Sequence, residues 1–187
     1  MTDRVELMIV ADAQEWRAWL HRNDAVSTGV WLMLAKKGTV DPTSLSYQEA
    51  LEEALCSGWI DGQRKSLDTL TFVQRFTPRR PRSIWSKRNV EIIARLAAER
   101  RLRARGIAEV ERAKADGRWE RAYAGPATAE MPSELAEALA EHPLAQAAFS
   151  ELSRSDRYSA LHPILTAAST ATRDRRIAAL LARLLQQ

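Results

Sequence analysis

Between Asp68 and Glu91 the chain has no acidic residue, yet it carries Arg75, Arg79, Arg80, Arg82, Lys87 and Arg88. Guanidinium and ammonium groups gathered without counter-charge suit phosphate and carboxylate. Ser83 and Ser86 add hydroxyl donors, and either is a good N-cap for a following helix. A helix starting there turns its positive dipole end and its unsatisfied amides toward the same cations. Each cation in that position costs up to ~1 kcal/mol, and neighbouring like charges add a few tenths more. A bound anion converts both penalties into attraction. The pattern predicts an anion site built from Arg75, Arg79, Arg80, Ser83, Ser86 and Lys87. Trp59, Asp61, Trp85 and Asn89 would shape it, with Trp85 offering a face for stacking or cation–π contact. The plainer alternative is a solvated basic turn whose charges are paired with carboxylates elsewhere, such as Glu52 or Glu53.

Three further residues could carry chemistry. Asp61 follows Trp59 and Ile60 and precedes Gly62, so its carboxylate either serves a site or stabilises its own turn. Asn89 falls on an apolar helix stripe and needs partners if buried. Cys56 would need a histidine or a cation beside it to act as a nucleophile, and His21, His142 and His162 are not placed near it by any pattern. No metal-ligand spacing, P-loop, GxGxxG or GxSxG occurs, so the expectation is no metal and no cofactor.

The elements that must hold these residues follow from periodicity. Val5–Val10 reads as a strand. Asp12 and Glu15 have capping-box spacing ahead of a helix with Trp16, Trp19 and Leu20 on one face, more suited to core than to a ligand cage. Gly29–Lys37 is a second strand. Ser46 and Glu49 cap a helix with Tyr47, Ala50, Leu51, Ala54 and Leu55 inward, and Gly58 stands where a helix ends. The period then alternates. Trp59–Asp61 and Leu70–Phe76 form an antiparallel hairpin through Leu67–Thr69, the second strand half-buried, and Pro78 and Pro81 end it. A helix from Ser83 or Ser86 carries Trp85, Ile92, Ile93 and Leu96, and another runs from Ile107 to Gly117. The segment GPATAEMPS at 125–133 reads as a linker. Beyond it, helices follow one another: one capped by Ser133, one interrupted by Pro163, and a last with Ile177, Leu180, Leu181, Leu184 and Leu185 as its stripe.

The expected fold is α+β: a small antiparallel sheet of about four strands packed by helices over residues 1–125, and a helical C-terminal subdomain over 126–187. With 187 residues, 45% hydrophobic and 28% charged, the chain fits a globular protein with a real core. Net charge is +4, carried by residues 1–125 at +5 against −1 for 126–187. An anionic small molecule or phosphate-bearing ligand is the expected partner. Nucleic acid stays open, because an Arg-rich composition gives the same charge with no partner at all. There is no membrane-length apolar run. Asp3, Arg4 and Glu6 break a signal-peptide pattern, and the single cysteine suits a reducing compartment, so a cytoplasmic protein is expected.

Several of these segments resemble the YdeI/OmpD-associated family, also labelled bacteriocin-protection proteins. They are WRAWL at 16–20, GVWL at 29–32, EEALCSGWIDGQRKSLD at 52–68, RFTPRRPRSIWSKRN at 75–89, AKADGRW at 113–119 and TRDRRI at 172–177. The resemblance covers nearly the whole chain. Ser57 stands where such proteins often carry a bulky aromatic, and Ala167–Thr170 departs from a lysine-containing pattern. The resemblance implies an α+β domain with a helical tail and a role in stress protection, against cationic peptides or in association with an outer-membrane porin. The reading of function is therefore a binding or stress-protection protein with an anion-binding pocket. Its alternatives are an enzyme of unknown reaction using the same pocket through Asp61 or Cys56, and a scaffold whose helical tail takes a protein partner.

Overall fold

The computed structural model describes residues 7–186. They form two compact units. One comprises the chain up to Ser83 together with Asn89–Glu120; the other comprises Ile84–Arg88 together with the chain from Arg121.

The first unit is built on a four-stranded sheet in the order β1-β2-β4-β3, from β1 (Leu7–Met8), β2 (Val30–Ala35), β3 (Trp59–Ser66) and β4 (Thr71–Pro78). The α+β class expected from the sequence is the one observed. One pairing departs from a purely antiparallel sheet: β1 runs parallel to β2, Leu7 opposite Trp31. The reason is the intervening helix α1 (Ala13–Asn23), which carries the chain back across before β2 begins. Of the strand read at Val5–Val10, Val5 and Glu6 lie outside the described residues, and pairing is limited to Leu7 and Met8.

Helices α1 and α2 start where their cap chemistry puts them. Asp12 accepts from the Gln14 and Glu15 amides, while Glu15 reaches back to the Ala11 amide at 2.7 Å. Ser46 and Glu49 form a complete capping box on α2 (Tyr47–Cys56). Helices α1 and α2 cover one face of the sheet. Trp16, Leu20, Ala50 and Ala54 pack there with Leu32, Leu34, Trp59, Phe72 and Phe76. Trp16 stacks on Trp19 at 5.2 Å and donates its indole N–H to the Ala50 carbonyl, which ties α1 to α2. The aromatic helix face is thus core.

The β3–β4 hairpin is closed by Asp68, whose carboxylate accepts from the Leu70 amide, the Thr71 amide and the Thr71 hydroxyl. Half-burial fails for β4: Thr71, Phe72, Val73 and Gln74 are all buried. The strand lies between β2 and β3, so both of its edges have neighbours, and side chains of the flanking strands crowd it on each side. A bulge lies between Asp61 and Arg64 of β3.

Helices α3 (Lys87–Ala98) and α4 (Ala104–Ala115) complete this unit, except that the first two residues of α3 group with the helical unit. Helix α4 approaches α2 closely at Gly106, where a Cβ would stand 2.3 Å from the Cys56 carbonyl oxygen.

The second unit holds α5 (Ser133–Ala140), α6 (Pro143–Glu151), α7 (Arg154–Leu165) and α8 (Thr170–Leu184). Leu135, Leu139, Phe149, Leu161, Ile164, Ile177, Leu180 and Leu184 make its core. Ser153 and Ser169 cap α7 and α8. Ser133 is not a cap: it is the first residue of α5, behind Pro132, and its hydroxyl goes to Glu134. Pro163 sits in the last turn of α7, where it forgoes the i→i−4 bond to the Ser159 carbonyl, and the helix ends two residues later at Leu165.

Candidate functional site

Arg80-Pro81-Arg82-Ser83 forms a tight turn. Pro81 occupies the position whose φ it presets. The Ser83 amide donates to the Arg80 carbonyl, and the Ser83 hydroxyl accepts from the Arg80 amide, both at 2.9 Å. Behind the turn stands Arg118. Its Nη1 donates to the Ser83 carbonyl at 2.8 Å, and its Nε is held by both oxygens of Asp116. The Arg118 side chain is only 10% exposed, and its Nη2 has no acceptor among the described residues. The turn therefore displays Arg80 and Arg82, both exposed, on a pinned backbone. None of the ion pairs among the described residues involves Arg80, Arg82 or Lys87.

The other residues expected at this site are placed variously. Arg79 is buried, its amide on the Gly58 carbonyl. Asn89 is buried on α3. Trp59 belongs to the core, where its indole N–H donates to the Asp24 carbonyl at 3.2 Å. Asp61 accepts the Tyr47 hydroxyl at 2.8 Å, so the half-buried carboxylate links β3 to α2. Arg75 lies over the Trp31 ring, 5.9 Å from its centroid. Trp85, Ser86 and Lys87 group with the helical unit, where Ser86 bridges to Tyr123. There the Tyr123 amide donates to the Trp85 carbonyl, and the Lys87 amide donates to the Tyr123 carbonyl at 2.8 Å. The first amide of α3 is thus already engaged. Arg80 and Ser83 are brought directly together.

A second charged cluster has no counterpart in the sequence reading. Glu53 sits on α2 among Ala50, Leu51, Ala54 and Leu55, and its side chain is 3% exposed. Arg17 grips it with two hydrogen bonds of 3.1 and 2.7 Å, Arg101 adds one at 2.9 Å, and Arg103 adds another. Glu52 beside it takes Arg95 and Arg101. Burial alone would raise the Glu53 carboxyl. The hydrogen bonds from Arg17 and Arg101, with the charge and hydrogen bond of Arg103, outweigh it and hold the group below the usual carboxylate range. Glu52 and Glu53 are therefore paired, as the plainer alternative required, but with arginines outside the run 75–88. The available signal was a carboxylate on a helix face otherwise filled by alanine and leucine, which has to find cations.

Cys56 lies beside this cluster, fully buried. Burial, reinforced by the Glu53 charge, pushes its thiol up to about 11, so it stays protonated at neutral pH and is a poor nucleophile. Among the described residues no three His, Cys, Asp or Glu side chains gather as a metal would need. No helix among them is long and apolar enough to cross a membrane.

Two family models match the chain. One, described as Domain of unknown function (DUF8412), matches residues 8–109. The other, described as Bacteriocin-protection, YdeI or OmpD-Associated, matches residues 128–187. The basic turn and the Glu53 cluster lie in the first match, and the α5–α8 core lies in the second. Neither a curated protein nor a solved structure matches.

Proposed function

We propose that this chain, which belongs to the family described as Domain of unknown function (DUF8412) and carries a Bacteriocin-protection, YdeI or OmpD-Associated match over residues 128–187, is a binding protein for anions, held at the Arg80–Ser83 turn. One contrast carries this reading. Arg17, Arg95, Arg101, Arg103, Arg112, Arg118 and Arg173 each reach a carboxylate, whereas Arg80 and Arg82 stand exposed on a hydrogen-bonded turn and are in no ion pair among the described residues. The hydrogen-bonded backbone means that the turn itself has less freedom to lose on binding, which favours affinity. The Arg118 Nη2, buried just behind the Ser83 carbonyl, is a donor in want of an acceptor. A phosphate-rich chain such as single-stranded nucleic acid or polyphosphate meets these features, and so does a smaller phosphate ester.

The enzymatic alternative is less favoured, because Cys56 is buried and protonated and the Asp61 carboxylate is engaged by Tyr47. The scaffold alternative needs an exposed stripe on α8, but Leu180 and Leu184 are in the core. Exposed arginines repel cationic peptides, so any protective role would act by a route other than sequestering such peptides on this turn.

The test is binding of labelled single-stranded DNA and of polyphosphate, followed by anisotropy between about 50 and about 200 mM salt. Binding that weakens steeply with salt is expected, with the slope reduced by about two in the Arg80→Ala/Arg82→Ala protein. Absence of binding at low salt, or an unchanged slope in the variant, would overturn the proposal.

A further inference from the structure

On the sheet face turned away from α1 and α2, three side chains from three strands converge. Trp31 of β2 stands opposite Arg75 of β4. Lys65 of β3 is paired with Val73, one residue pair further along that same face. The Lys65 ammonium lies 4.4 Å from the Trp31 ring centroid and the Arg75 guanidinium 5.9 Å. One indole ring thus attracts two cations that repel each other. Neither cation is in an ion pair among the described residues. Trp31 is 5% exposed, and its Nε1–H is buried with no acceptor. A buried donor without an acceptor is disfavoured and rare in folded proteins. Two cations and one orphan donor, with no acceptor supplied by the chain, together describe the complement of an oxyanion.

We propose that this face is a second anion site, separate from the Arg80–Ser83 turn, which takes a compact carboxylate or phosphate from a small molecule. One ligand oxygen accepts the Trp31 Nε1–H, and Lys65 and Arg75 bracket the others. Lys65 is exposed, and its flexible stem lets the ammonium swing from the ring onto the ligand while uncovering the indole edge. The Arg75 guanidinium supplies paired donors. The cation–π contacts then describe the resting position of groups whose stronger partner arrives from outside.

The experiment is an NMR titration of the indole N–H resonances of the full chain at low ionic strength, with inorganic phosphate in one arm and acetate in the other. Trp31→Phe assigns the resonance. A saturable downfield shift of the Trp31 N–H in either arm is expected, and the arm that saturates at lower concentration names the ligand class. Lys65→Met/Arg75→Met should weaken that response by at least about tenfold, while the other indole resonances report that the variant is folded. Arg80→Ala/Arg82→Ala should leave the response intact, which keeps this site distinct from the turn. A Trp31 N–H indifferent to both anions, or a response that survives in the Lys65/Arg75 variant or vanishes in the Arg80/Arg82 variant, would overturn the proposal.

Discussion

Arg103 grips Glu53 at two levels. Nη1 donates to the Glu53 backbone carbonyl at 2.9 Å, while Nη2 donates to its carboxylate. The same Nη1 also reaches the hydroxyl of Ser57, one turn on, at 2.7 Å. A single side chain from the loop between α3 and α4 therefore holds the last turn of α2 by main chain and side chain together. Ser57 is itself fully buried, so its hydroxyl meets the guanidinium away from solvent.

Glu53→Gln should be among the most damaging single polar changes in the front half. It leaves Arg17, Arg101 and Arg103 facing an amide that can accept only part of their hydrogen bonds. Breaking a buried ion pair costs about 3–5 kcal/mol. Arg17 and Arg101 are partly exposed and can turn to water, so a loss of about 2–3 kcal/mol is expected. Urea unfolding of wild type and variant measures it, and a loss within about 0.5 kcal/mol would mean that the clamp contributes little.

Acid should weaken the fold through the same group. The folded protein holds the Glu53 and Glu52 carboxyls below their ordinary value, so the unfolded chain binds protons more readily than the folded one. The stabilisation is complete above the usual glutamate range and falls away as pH drops through it toward the lowered folded values. Melting temperature followed from pH 7 downward should fall more steeply for wild type than for Glu53→Gln. Parallel curves would refute the assignment.

Cys56 should resist thiol reagents in the native state and react fully in denaturant, because its sulfur is buried and protonated. Rapid labelling of the folded protein would restore the thiol as a candidate nucleophile.

Gly106→Ala should separate α4 from α2. A methyl group there meets the Cys56 carbonyl oxygen at 2.3 Å and the carbonyl carbon at 2.9 Å, both backbone atoms that cannot turn aside. Overpacking of this kind costs about 1–3 kcal/mol. A variant as stable as wild type would mean that the helices part without loss.

Much of this architecture is legible from local chemistry. Asp12 and Ser46 announce helices because their caps lie within three residues of them. Asp68 likewise closes its hairpin with its own near neighbours. What escapes reading is set at long range. The two-residue strand Leu7–Met8 shows its direction only once α1 has packed. Glu53 finds Arg17 at 36 residues' separation and Arg103 at 50, and no spacing rule links them. The basic run shows the same limit. Its composition marks a cationic stretch, but composition cannot foretell that Arg79 is buried, that Arg75 lies on a tryptophan, or that Arg118 pins the turn from 35 residues away.

The interleaving of the two units has a practical consequence. Residues 84–88 count with the helical body, while the segments on either side of them do not. No single scission can therefore release two intact pieces. A fragment beginning at the linker would lack both the short stretch 84–88 and Tyr123, to which it bridges, and its counterpart would carry that bridged pair without the helices it is grouped with. Anyone expressing the halves separately should expect the excised helices to be less sturdy than the same helices in the whole chain.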